Sequence, residues 1–326
     1  MEKLFQTVEN IKSKLNQWGK EHIPFVFLID FECKKPLCWT WEEAATQFTF
    51  NFDGITNQKI QSILKSDIPI HFEKIPISFE LYKNKFDQVK KEIGLGNSFL
   101  VNLTASTKIE TNYSMDQIYN NAIAKYTCCL KNEFVCFSPE TFIKIKENKI
   151  YSYPMKGTIH AGIPNAKDII LNDQKEYAEH ATMVDLIRND LSKVSSNVKV
   201  NQFRYYEEIK TNNGNLGQVS SEIMGELPPF FNEKIGDILF DLIPAGSISG
   251  APKQKTLEII SKVENEDRGY YTGIAGYFDG KNLDSTVLIR YLQNDKTYRS
   301  GGGITFNSDA MNEYKEMINK VYVPFF

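Results

Sequence analysis

Cysteine is too sparse and too irregular in this sequence to build a framework. It occurs five times in 326 residues, as Cys33 and Cys38 in a C-x4-C spacing, as adjacent Cys128 and Cys129, and as Cys136 alone. The count is odd, and no histidine stands near any of them. That argues against disulfides and against a zinc site, and leaves thiols that pack as small hydrophobes. No apolar run is long enough to cross a bilayer. The opening MEKLFQTVENIKSKLNQWGK is charged and helix-like, without the apolar stretch of a secretory signal. A net charge of -3 provides no footprint for nucleic acid. Internal repeats, low-complexity tracts and Pro/Gly/Ser linkers are all missing. These absences predict one compact cytoplasmic unit over residues 1–326 that neither spans a membrane nor binds nucleic acid.

What is present suits a globular chain: 41% hydrophobic and 24% charged residues, enough for a substantial core. HIPFVFLIDF (22–31) reads as a strand, and Phe48, Phe50 and Phe52 alternate with the strand period of two. A short helix is expected over 57–64, and another from about Leu81, closed by Gly94 or Gly96. Strands then dominate: SFLVNLTAST (98–107), EFVCFSP (133–139), and a hairpin over 141–155 turning at Glu147-Asn148. A long helix is expected from Asp173 to Val194, another starting at Pro252, a strand–turn–strand unit over 269–295, and a last helix from Ala310 to Tyr322. Many hairpin-linked strands together with long helices imply an α+β fold with antiparallel sheets.

Several residues could carry chemistry, each with a plainer alternative. Glu176 and Glu179 share one helix face at i,i+3, as do Glu313 and Glu316. Facing each other, the pairs could hold Mg2+ through oxygen. Equally, Glu176 could serve a helix cap with Asp173, and Glu316 could form a surface pair with Lys320. Lys156 in PMKGT (154–158) could be a solvated cation or an amine nucleophile beside the permissive Gly157. Glu140 in SPE could be a general acid or an edge-strand carboxylate. PAGSISGAPK (244–253), with Ser247, could receive an anion or merely enter a helix. Gly301 in GGGI could allow close approach of a ligand or mark a bulge. Arg290 ends the apolar run STVLIR, where it could meet a carboxylate or solvent.

In order, SFLVNLT, SPE, PMKGT, KEYAEHATMVDLIRNDLSKV, PAGSISGAPK, RGYYTG with STVLIR, and GGGITFNSD with the Glu-rich helix resemble the chorismate-utilising enzyme family. The recognisable core spans about 85–326, and residues 1–84 are read as the N-terminal part of the same fold. The resemblance implies two packed antiparallel β-sheets flanked by helices, with the site in a cleft. It implies Glu179 and Glu316 as Mg2+ ligands supported by Glu176 and Glu313, and Glu140 as general acid at the departing C4 hydroxyl of chorismate. It implies Tyr271, Arg290, Gly301, Lys320 and Ser247 around the substrate, with Gly157 beside the nucleophile. Relatives that make anthranilate usually read PIAGT where aminodeoxychorismate synthases read PIKGT. PMKGT therefore points to the latter branch, in which Lys156 attacks as a neutral amine and its pKa must fall; the alternatives are an anthranilate synthase and, further off, an isochorismate or salicylate synthase or an inactive binding homologue. Ammonia is then a substrate, and a separate glutamine amidotransferase is the implied partner. Two departures stand out: Gln218 replaces a histidine common in relatives, and Ile159 replaces an arginine.

Overall fold

The computed structural model describes residues 7–58, 71–209 and 215–324. Two nine-stranded sheets make up the body, and every strand pair in them is antiparallel. The first sheet runs Met155–His160, Leu216–Glu226, Lys149–Ser152, Thr141–Lys146, Leu283–Val287, Ile274–Phe278, Phe25–Ile29, Leu37–Thr40, with Ser196–Ile209 also on Leu216–Glu226. The second runs Gly250–Ala251, Leu100–Thr111, Thr297–Thr305, Tyr291–Gln293, Phe134–Ser138, Tyr126–Leu130, Phe48–Phe52, Ile55–Thr56, with Phe72–Pro76 on Leu100–Thr111.

Side-chain alternation explains the packing. In Phe25–Ile29 all five residues are buried because both faces are covered. Val26 and Leu28 turn into a cluster with Phe48, Phe50, Phe52, Tyr126 and Tyr277, drawn from both sheets. Phe25, Phe27 and Ile29 turn the other way, among the apolar stripes of the helices, including Ile11 and Leu15 of Val8–Lys20. Phe48, Phe50 and Phe52 are buried while Thr49 and Asn51 between them are not, as the period-two pattern requires. Each such side chain contributes about 1.5–3 kcal/mol by leaving water.

The local signals explain the element ends. Glu147 and Asn148 both adopt positive φ, 52° and 59°, in the turn of the 141–155 hairpin. The long helix is Gln174–Leu191, capped by Asp173, whose carboxylate accepts the Glu176 N–H at 2.9 Å. The helix expected from Leu81 begins earlier, at Phe79, because Ser78 caps it. Pro252 is the cap of Lys253–Glu264 rather than its first turn. The last helix stops at Asn319, short of Tyr322: the chain turns so that Val321 is fully buried and the Tyr322 carbonyl accepts the Tyr298 hydroxyl at 2.8 Å. From residue 59 on, the helix expected over 57–64 lies outside the described residues. Cys38, Cys128 and Cys136 are buried, Cys33 and Cys129 are half-buried, and all five are free thiols.

Candidate active site

One cavity of about 520 Å3 opens between the second sheet, the PMKGT strand and the long helix. Glu140, Lys156, Glu179, Ser247, Tyr271, Arg290, Gly301 and Lys320 all lie on its wall. Gly157, Glu176, Glu313 and Glu316 are not on that wall. Gly157 has φ +87°, and a Cβ there would sit 2.9 Å from Glu176 Oε2. A Cβ on Gly302 would meet Glu313 Oε2 at 3.3 Å and Glu316 Oε1 at 3.4 Å. Both glycines therefore make room for carboxylates. Gly301 has a different reason to be glycine: a Cβ there would strike the Leu103 carbonyl, at 2.2 Å, on the neighbouring strand.

The glutamates are held by lysines. Lys156 Nζ lies 2.8 Å from Glu179 Oε2, and Lys175 Nζ lies 3.7 Å from its Oε1. Lys320 Nζ lies 2.7 Å from Glu316 Oε1 and donates to the Gly301 carbonyl at 2.9 Å. The i,i+4 pair expected as the plain alternative for Glu316 is thus present. Glu176 is not spent on capping, since Asp173 alone caps the helix, and its Oε2 is buried with no hydrogen-bond partner. Burial raises the Glu176 and Glu313 carboxyls above their ordinary range. Burial pushes Glu316 the same way, but Lys320, Lys156 and Lys175 outweigh it and hold that carboxyl low. Glu176 with Glu179, and Glu313 with Glu316, lie around Lys156, and carboxylate oxygens are the donor type suited to a hard divalent cation. Among the described residues, three ligand atoms of different residues come within 4.8 Å of one another only at His71, Glu73 and Glu110, which are exposed.

Lys156 departs from the expected lowered pKa. Burial alone would lower it, yet Glu179, then Glu316 and Glu176, raise the ammonium above its ordinary value. Lys320 behaves oppositely, burial lowering it despite Glu316. Glu140 is raised by burial, against the opposing pull of Ser247, Arg290 and Lys320, and it accepts a hydrogen bond from the Ser247 hydroxyl. Arg290 sits at φ +54°, its Nε buried and without a partner, its guanidinium 5.2 Å from the Tyr322 ring centroid.

Gln218 meets the methionine of PMKGT. Gln218 is buried, and its amide donates to Met155 Sδ at 2.7 Å and to Ser220 Oγ at 3.2 Å. The methionine of PMKGT thus contacts the residue that stands in for histidine. Nothing in the structure explains Ile159.

Sequence reasoning missed Arg268. This fully buried guanidinium binds Glu264 through Nε at 2.9 Å and Nη2 at 2.6 Å. It also donates to the carbonyls of Asn102 at 2.7 Å and Ile248 at 3.0 Å, tying together two segments that line the cavity. It opens the RGYYTG block, from which only Tyr271 was given a role, and its Glu-to-Arg i,i+4 spacing is what an ordinary surface pair also shows. The aromatic mouth of the cavity was missed too: Phe99 and Phe306 stand there largely exposed.

Comparison with known proteins identifies the family. A profile of the chorismate binding enzymes matches residues 13–325. A PabA-like protein of Haemophilus influenzae is 48% identical over 98% of this chain and 97% of its own. Aminodeoxychorismate synthase component 1 of Bacillus subtilis is 31% identical over 76% of this chain and 55% of its own. Anthranilate synthase component 1 of Archaeoglobus fulgidus is also 31% identical, over 75% of this chain and 61% of its own. The menaquinone-specific isochorismate synthase MenF of Escherichia coli shares the fold, with a TM-score of 0.70 at 16% identity, covering 97% of this chain and 81% of that one. With two packed antiparallel sheets, seven motifs in order and a profile that runs nearly end to end, the chain belongs to the chorismate-binding enzyme family.

Proposed function

We propose that the protein is an aminodeoxychorismate synthase component I, converting chorismate and ammonia to 4-amino-4-deoxychorismate with Mg2+ bound by Glu179 and Glu316, supported by Glu176 and Glu313. The observation that carries this reading is Lys156 on the wall of the same cavity as Glu140 and Arg290. A lysine there supplies a nucleophile that the PIAGT pattern lacks. The Lys156 ammonium, favoured by its glutamate neighbours, first releases a proton to solvent, and the neutral amine adds at C2 of chorismate. The ring double bonds shift, and the C4 hydroxyl leaves as water with the proton of Glu140. Ammonia then adds at C4 and returns a proton to Glu140, the double bonds shift back, and the C2–N bond to Lys156 breaks, so one difficult displacement becomes two easier steps. Burial keeps Glu140 protonated to higher pH than an ordinary glutamate, which suits a general acid. Arg290 and Lys320 offer cations to the two carboxylates of the substrate. Glu179 and Glu316, with Glu176 and Glu313, would hold Mg2+, which would neutralise substrate carboxylate charge. Ammonia comes from a separate glutamine amidotransferase, since no cysteine here sits in a nucleophile-elbow context.

Product analysis tests the assignment. Chorismate, Mg2+ and ammonium should yield 4-amino-4-deoxychorismate, and glutamine should not replace ammonium for the isolated chain. Lys156→Ala should lose most product, and a mass shift on the Lys156 peptide should appear when chorismate is trapped without ammonia. Anthranilate as the product would move the protein to the neighbouring branch, and wild-type rates from Lys156→Ala would remove the covalent step.

A further inference from the structure

The four glutamates present the right donor chemistry for a divalent cation, yet no three of them bring oxygens within mutual ligand spacing. The reason lies in the lysines. Glu179 and Glu316, on separate helices, each lie at hydrogen-bond distance from an ammonium group, 2.8 Å to Lys156 and 2.7 Å to Lys320. Both lysines reach in from the cavity wall, and their side chains are only 21% and 29% exposed. Each is also a group that the proposed reaction needs elsewhere, Lys156 at the ring and Lys320 at a substrate carboxylate.

We propose that Lys156 and Lys320 are resident counter-ions of the metal-free site, which Mg2+ must displace from Glu179 and Glu316, and that a dicarboxylate ligand receives the freed Lys320. The inference rests on the reading of the quartet as a Mg2+ site. A dication on the same carboxylates would face two nearby positive charges, so cation and ammonium groups compete for the oxygens. The freed Lys320 still reaches the cavity at Gly301, where an anionic ligand supplies the lost partner. Metal and dicarboxylate therefore promote each other's binding, and by linkage the coupling is equal in both directions. Lys156 is unmasked when the metal arrives, so the nucleophile stays paired while the site is only half assembled.

Calorimetric titration of Mg2+ into the metal-free full chain tests this without reference to turnover. Lys156→Met and Lys320→Met should each tighten Mg2+ binding about tenfold, the order expected for removing one charge from a partly buried site. Lys175→Met, at 3.7 Å and exposed, should tighten it about twofold and carries little risk to the fold. If either methionine variant fails to fold, the glutamine variant, equally uncharged, replaces it with the same expectation. In the Lys156→Met background, where chorismate cannot be attacked, saturating chorismate should tighten Mg2+ binding, and adding Lys320→Met should shrink that gain. Unchanged or weaker Mg2+ binding in both single variants would overturn the counter-ion role while leaving the metal site standing. Absence of Mg2+ binding from every protein, wild type included, would remove the metal site itself.

Discussion

Replacing Arg268 with methionine strands a buried carboxylate. Glu264 is 3% exposed, accepts from Arg268 Nε and Nη2 and from the Thr104 N–H and hydroxyl at 2.9 Å each, and lies 3.7 Å from the Arg299 guanidinium. Breaking a buried pair by removing one partner costs about 3–5 kcal/mol. Here the surviving Thr104 and Arg299 contacts place the loss near about 3 kcal/mol, while the Asn102 and Ile248 carbonyls lose their donor. Such a loss is a large share of the roughly 5–15 kcal/mol that stabilises a typical domain. The pH dependence gives a second readout. Burial would raise the Glu264 carboxyl, but Arg268, then Arg299 and Thr104, hold it below its ordinary 4.5. The stabilisation is thus complete above 4.5 and lost as pH falls through the depressed folded value. In Arg268→Met the carboxyl is left to burial, and protonation relieves it. Urea denaturation should therefore show the largest gap between wild type and variant at about pH 7 and a smaller one at about pH 4. Glu264→Gln should recover part of the loss in the double variant. A gap below about 1 kcal/mol, or one that does not change with pH, would refute the assignment of Glu264 as a charged, Arg268-dependent group.

Two further outcomes follow from the site. At fixed free ammonia, kcat should fall as pH rises through the elevated Glu140 pKa, and Ser247→Ala, which removes a hydrogen bond that lowers that pKa, should move the fall to higher pH; an unmoved profile counts against Glu140 as the acid. Gly157→Ala places a side chain at φ +87° and 2.9 Å from Glu176 Oε2, and should cost about 1–2 kcal/mol in thermal unfolding, with an unaltered melting point counting against that geometry.

Much of the fold was legible where the determining chemistry is local. The Asp173 cap, the Glu147-Asn148 turn and the Phe48, Phe50, Phe52 alternation depend on residues within a few positions of each other. Sheet order was not legible, because Phe25–Ile29 pairs with Ile274–Phe278 and no local pattern encodes a partner so distant. The candidate site divides in the same way. Candidates could be named from the order of their motifs, and eight of those twelve residues line one cavity. The pairing of Lys156 with Glu179 could not be read, nor that of Gln218 with Met155, since both join separate elements. Arg268 escaped notice because burial, which separates a structural hub from a surface pair, has no signature at a single charged position.

The strand Phe25–Ile29 has a consequence for biosynthesis. Its neighbour Leu37–Thr40 follows at once, but the strand on its other side, Ile274–Phe278, emerges some 245 residues later (274 − 29). At ribosomal rates that interval is roughly 10–50 s. Throughout it, a run of five residues that are completely buried in the finished protein has one unpaired edge facing outward. Nascent chains interrupted before residue 274 should therefore be bound by chaperones that recognise exposed apolar strands, or aggregate, whereas those extended past residue 278 can close the sheet.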